Sequence, residues 1–147
     1  LLPSRVQDSP LSPDSVYALL GVAPSGNIKA MPFLESAVES DTASAALKEY
    51  YMSALLLDKR LVEFVNRIPE IYPGVPADSL PKHFREALLL HSEIDGTYKP
   101  SFSSDTLYHM FDSLKRIEES HDDVFIRGNY VRKSFGRTYW WYFLYGY

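Results

Sequence analysis

Half of the ten prolines fall before Phe33 (Pro3, Pro10, Pro13, Pro24 and Pro32), and this uneven distribution constrains the fold more than any other feature. Proline removes a backbone donor and blocks the turn before it, so long helices avoid it. Residues 1–32 are therefore expected to be irregular. They also carry "APSGN", a run of turn formers, and leave room for one short helix at about residues 14–20, started by Ser12 or Asp14 and stopped at Gly21. From Phe33 to Ile68 there is no proline at all, and the text changes to helical phrases.

Those phrases have the spacing of amphipathic helices. After a cap at Asp41 or Thr42, Ala43, Leu47, Tyr50, Tyr51, Ala54 and Leu55 recur at steps of three and four, which places them on one stripe. Asp58 is expected to cap a second helix at once, with Leu61, Phe64, Val65 and Ile68 on its apolar face. That helix should end near Pro69, because the residue before a proline resists the α conformation. "YPGVPADSLP" is a connector. A third helix opens near Pro81, buries Phe84, Ala87, Leu88 and His91, and stops at Gly96. A fourth covers residues 105–120, with Leu107, Met110, Phe111, Leu114 and Ile117 on one face. A fifth covers residues 124–135 and is expected to break or kink at Gly128. The fold class is thus all-α, with five to seven helices. The expected organisation is a single domain over 1–147, in which residues 1–32 pack on a helical array formed by 41–147.

A self-comparison suggests a repeat. "YMSALLLDKRL" (51–61) aligns with "FREALLLHSEI" (84–94) at an offset of 33, placing Tyr51 on Phe84, Ala54 on Ala87 and Leu61 on Ile94. Antiparallel helix pairs of the tetratricopeptide class repeat at roughly 34 residues. In such a pair a ring fills the groove, and an alanine three residues on lets the partner helix approach.

The phrases "PKHFREALLL" and "YYMSALLLDKRLVEFV", with the terminal "TYWWYFLYGY", resemble the soluble C-terminal tail of a family of uncharacterised bacterial multi-pass membrane proteins. The resemblance spans about residues 45–147. It implies a tetratricopeptide-like helical tail tethered to a bacterial membrane, on a side left open, and it carries no activity. It also fits the beginning "LLPSRVQDSP", which reads as the middle of a longer chain.

The composition narrows the functional classes. A net charge of −4 gives no reason to expect nucleic acid. Without cysteine there are no disulfides and no thiolate metal sites. The longest uninterrupted apolar run, Tyr139–Tyr145, has seven residues, far short of the roughly 20 that span a bilayer. His83 and His91 lie eight apart, not the four that lets two imidazoles share a metal, and "ESHDD" (119–123) reads as a solvated acidic helix end. No GxSxG, phosphate loop or GxGxxG occurs. No residue is therefore assigned to catalysis, to a cofactor or to a metal, and the protein-binding residues stay open. Arg127, Arg132, Lys133 and Arg137 form a basic block that, with the neighbouring rings, suits lipid headgroups or single-stranded nucleic acid. The simpler expectation is local neutralisation by Glu118, Glu119, Asp122 and Asp123.

The aromatic end is apolar most of the way round as a helix, so it needs cover on more than one side. Residues before Phe33 are the expected cover for at least one of Trp140 and Trp141. The leading functional expectation is a non-catalytic helical-repeat interaction module, the soluble part of a larger membrane protein, holding a protein or peptide. The alternative is a structural domain that packs only on its own membrane region. An enzyme ranks third, and a deep pocket with two titratable groups in contact would favour it. No small-molecule substrate and no cofactor are predicted.

Overall fold

The computed structural model describes residues 27–39, 44–96 and 99–146. The chain is all-α: seven α-helices and one 3-10 turn, with no strand among the described residues. It divides into two compact units, Leu1–Val75 and Pro76–Tyr147.

The first unit contains α1 (Asn27–Val38), α2 (Ala45–Leu57) and α3 (Leu61–Ile71), with α2 packed against both neighbours. Met31, Leu34 and Val38 of α1 are buried and share one face of the helix by their spacing. This helix starts inside the segment expected to be irregular to residue 32. It carries Pro32 through, at the cost of one i→i−4 bond near its beginning. The short helix at 14–20 and the caps at Asp41 and Thr42 lie outside the described residues. Ser44 caps α2 instead: its Oγ accepts the Leu47 N–H at 3.1 Å.

From Tyr51 to Leu57 every residue of α2 is buried, more than the single stripe expected from the sequence. The turn into α3 also differs. Asp58 does not cap α3 but closes α2. Lys59 adopts a left-handed φ of 57°, with its N–H on the Leu56 carbonyl (3.0 Å), and the Arg60 N–H reaches the Leu55 carbonyl (2.9 Å). This double closure is a Schellman ending with lysine where glycine is usual. Arg60 then enters α3 and bonds Glu63 (3.0 Å from Nε), with Glu35 of α1 3.5 Å away. α3 continues through Pro69 to Ile71, two residues past the predicted stop. Pro69 is exposed, and the Tyr72 N–H still closes on the Ile68 carbonyl at 2.9 Å. Tyr51 is 1 % exposed, yet its hydroxyl accepts from Arg67 Nε (3.2 Å), whose guanidinium also lies over the ring. Burial raises this phenol's pKa, although Arg67 pulls the other way.

The second unit contains the 3-10 turn Ala77–Ser79, then α4 (Lys82–Asp95), α5 (Thr106–Ser120), α6 (Val124–Phe135) and α7 (Tyr139–Tyr145). α4 starts and stops as expected, with Pro81 at its N-cap and Gly96 left-handed (φ 76°) at its C-cap. Phe84, Ala87, Leu88 and His91 are all buried. In the repeat alignment both aromatic–alanine–leucine runs are buried, but Leu61 is buried where Ile94 is 62 % exposed. The helix partners also differ: α2 folds directly onto α3, while α4 packs chiefly on α7 and α5 on α6.

α6 runs unbroken through Gly128. The glycine marks a close approach. A Cβ there would lie 3.1 Å from Cδ1 of Tyr145 on α7, so the missing side chain lets the two helices pack.

The aromatic end is the hub of this unit. Trp140 is fully buried. Its ring meets Phe111 of α5 edge-on (centroids 5.0 Å apart) and Phe135 of α6 at 6.1 Å, and its Nε1–H donates to the Glu86 carbonyl of α4 at 2.8 Å. Burying an indole removes about 200 Å² from water, about 5 kcal/mol at 25 cal/mol per Å². Trp141 is half-buried. The two tryptophans are thus not both exposed, and Trp140 takes cover from three helices of its own unit. The expected cover from residues before Phe33 rests on a segment that lies, up to residue 26, outside the described residues.

Candidate interaction surface and a buried pair

α6 has two faces. Asp123 caps it, its Oδ1 accepting the N–H groups of Phe125 (2.8 Å) and Ile126 (3.1 Å). Val131 and Phe135 are buried, with Arg127 and Gly128 half-buried beside them. Opposite, Phe125, Ile126, Asn129, Tyr130 and Lys133 recur at i, i+1, i+4, i+5 and i+8 and are all exposed. Phe125 is 77 % exposed, Val124 and Ile126 are each 50 %, and Tyr130 is 45 %. Single exposed apolar residues are ordinary, but Phe125 and Ile126 share the exposed face with Tyr130 one turn on, and such a cluster calls for an explanation. Tyr130 is held in place: the His121 ring stacks on it at 4.3 Å, and the Lys133 ammonium lies over it at 5.4 Å.

The basic block sits toward the other end of this face, where Arg132, Lys133 and Arg137 are exposed. The neutralisation expected from the sequence does not form as ion pairs. Among the described residues, none joins Arg127, Arg132, Lys133 or Arg137 to Glu118, Glu119, Asp122 or Asp123. The geometry explains this. The acids gather at the α5–α6 turn, and Arg132 lies nine residues from Asp123, about 13 Å along a helix rising 1.5 Å per residue. Two of the acids have other partners as well. Asp123 caps α6, and Glu118 accepts the hydroxyl of Tyr145. That phenol's pKa is pushed up to about 12, first by burial and then by the Glu118 carboxylate, against a smaller opposing effect from Arg127.

A second cluster lies inside the unit. His83 and Glu86 stand one turn apart on α4, 2 % and 0 % exposed, with Nδ1 2.9 Å from Oε1. The same Oε1 accepts the backbone N–H of Tyr139 at 3.0 Å, while Glu86 Oε2 is buried without a partner among the described residues. Thr138 caps the other side of that helix start, its Oγ1 accepting from Trp141 N–H at 3.3 Å. A carboxylate at the first N–H of α7 is thus an N-cap supplied from another helix, placed where the helix dipole favours negative charge. Tyr139 itself is buried, and burial raises its phenol pKa, with Tyr142 adding to the effect.

Glu86 also lies in the wall of a cavity of about 250 Å³, with Lys82, Arg85, Phe102, Leu107 and Met110 around it. Two titratable groups in contact beside a pocket are the arrangement that would favour an enzyme. Burial argues against it here: neither carboxylate oxygen is open to solvent, Oε1 already holds a backbone N–H, and the cavity is smaller than the roughly 300–1,000 Å³ of ordinary ligand pockets. Sequence reasoning missed this pair. The only local signal was His-x-x-Glu at i, i+3 after a proline cap.

The remaining histidines are dispersed. His91 is buried, with Nε2 3.6 Å from Asp95 and Nδ1 without a hydrogen-bond partner among the described residues, whereas Asp58, its counterpart in the repeat alignment, is exposed. His109 is exposed. No group of three or more His, Asp or Glu residues among the described residues is arranged to hold a metal. No helix among them is long and apolar enough to cross a membrane.

Fold and surface together define an all-α protein that combines a helix-anchoring buried pair with an exposed apolar and basic helix face. The chain belongs to a family of unknown function (DUF6057), whose model matches residues 24–146. No curated protein and no solved structure matches it.

Proposed function

We propose that this chain is a non-catalytic helical interaction module whose contact surface is the exposed face of α6. The exposed cluster of Phe125, Ile126 and Tyr130 carries the reading, because a protein kept only for its own core has no use for these apolar side chains in water. In this reading the module is the soluble part of a larger membrane protein, built on tetratricopeptide-like packing. Three things support it: the resemblance of residues 81–90 and of the Tyr139–Trp141 cluster, the burial of both Tyr51 and Phe84 at aligned positions, and the exposure of Phe125, Ile126 and Tyr130 on α6. The partner is a further molecule or the protein's own membrane region.

A photo-crosslinking amino acid placed at position 125 of the full-length protein in its native cell, with a control at exposed Ser113, tests this directly. A discrete adduct at 125 that the control lacks, and that Ile126→Asp abolishes, supports the module. Mass spectrometry then shows whether the captured species is protein, lipid or the chain's own upstream segment. Equal, diffuse labelling at both positions overturns it.

A further inference from the structure

We propose that the face of α6 docks on an anionic lipid surface, with the apolar end entering the acyl boundary and the basic end on the headgroups. The proposal rests on the interaction reading and names the partner. Shape comes first. Phe125 projects from the start of a helix and is 77 % exposed, with Ile126, 50 % exposed, on the same face. A peptide ligand is normally taken into a groove or along a sheet edge, whereas a protruding apolar wedge suits a soft interface that yields to it.

Charge complementarity comes second. Arg132, Lys133 and Arg137 are exposed and are not ion-paired to the nearby acids. Phe125 and Lys133 share a face at a separation of about 12 Å along the axis, so a helix lying flat presents both to one surface. Tyr130 sits between them with the Lys133 ammonium over its ring. An amphipathic ring beside a cation is what the headgroup layer accepts. The acids do not cancel the arrangement: Asp123 is turned to its own helix N–H groups, and Glu118 to Tyr145, leaving Asp122 and Glu119 at the apolar end. There insertion, not charge, supplies the attraction.

The test is co-sedimentation of the full 147-residue chain with vesicles of phosphatidylcholine alone or mixed with phosphatidylglycerol. Binding to the mixed vesicles, weakened by salt, is expected. Phe125→Ser with Ile126→Ser, or Arg132→Glu with Lys133→Glu, should each lower it at least about tenfold: each cation near an anionic surface contributes roughly fivefold, so two lost exceed tenfold, and two large apolar side chains withdrawn from the acyl boundary exceed it as well. All four positions are exposed, and circular dichroism on each variant checks that its helices remain. Equal binding to both vesicle types, or no binding to either, overturns the lipid assignment. If vesicles are ignored while crosslinking at 125 captures a protein, the lipid proposal falls and the interaction module stands; if crosslinking also fails, both fall.

Discussion

Glu86→Ala should be among the most damaging single changes in the second unit, and Glu86→Gln among the mildest at a buried charge. The alanine removes the acceptor of two buried donors, Tyr139 N–H (3.0 Å) and, with its proton on Nδ1, the His83 ring (2.9 Å). Leaving a buried donor unsatisfied costs about 1–3 kcal/mol, so the two together cost about 2–6 kcal/mol. Removing the unpartnered Oε2 offsets part of this, and the net expectation is about 3 kcal/mol. Glutamine keeps an acceptor at Oε1 and nearly the same volume, so its cost should stay near 1 kcal/mol or less. Both tryptophans, Trp140 and Trp141, lie in this unit, so urea unfolding followed by their emission reports on it alone. Trp140 is one residue from the lost bond and holds the Glu86 carbonyl, so its emission should also shift to the red before global unfolding in the alanine variant. If the alanine costs less than about 1 kcal/mol, or if the two variants cost the same, Glu86 is not the trans cap of α7.

Lys59→Gly should stabilise the chain by about 1 kcal/mol, because lysine holds a φ of 57° that glycine adopts freely; an unchanged urea midpoint would refute this. Gly128→Leu should destabilise by about 1–3 kcal/mol through collision with the Tyr145 ring. In a double-mutant cycle Tyr145→Ala should recover most of that loss, and additive costs would refute the contact. Tyr145 also sets an alkaline limit. Its folded pKa of about 12 lies above the ordinary value of 10.0, so its contribution is complete below pH 10 and is lost as pH rises toward 12. Tyr145→Phe should lessen the slope of the stability profile over that window, with Tyr72 and Tyr139, whose phenols burial also pushes up, supplying the rest, as measured by denaturant midpoints at stepped pH.

The helices were legible because their faces have a clear period. Phe84, Ala87, Leu88 and His91 announce α4, and Pro81 and Gly96 mark its ends. The errors arose where a local rule met a tertiary contact. Pro69 should have ended α3, but the helix needs two further residues to bury Ile71, and an exposed proline loses only one bond. Asp58 has the chemistry of a cap, yet the tight return from α2 to α3 is closed by Lys59 and Arg60 backbone bonds that no residue type announces. In α6 exposed Phe125 and Ile126 blur the apolar period; once they are recognised as surface, Val131 and Phe135 define its buried side cleanly.

The site was hidden for a different reason. Glutamate in a helix after lysine, histidine and arginine reads as solvent-facing, and the signals against it, His83 one turn before and Leu89 and Leu90 one turn after on its face, are slight. Its partner is a backbone N–H 53 positions away, created only when the aromatic end becomes a helix. A stretch apolar on nearly every side needs cover, and burying its first two residues, Tyr139 and Trp140, buries the first N–H groups of a helix only seven residues long. Those donors need acceptors inside the protein, since water is excluded. Thr138 is close enough in sequence to serve one, and Glu86 serves another from α4. The aromatic terminus is thus the reason for a buried carboxylate, while Phe125 and Ile126 of α6, which make no such demand, lie exposed.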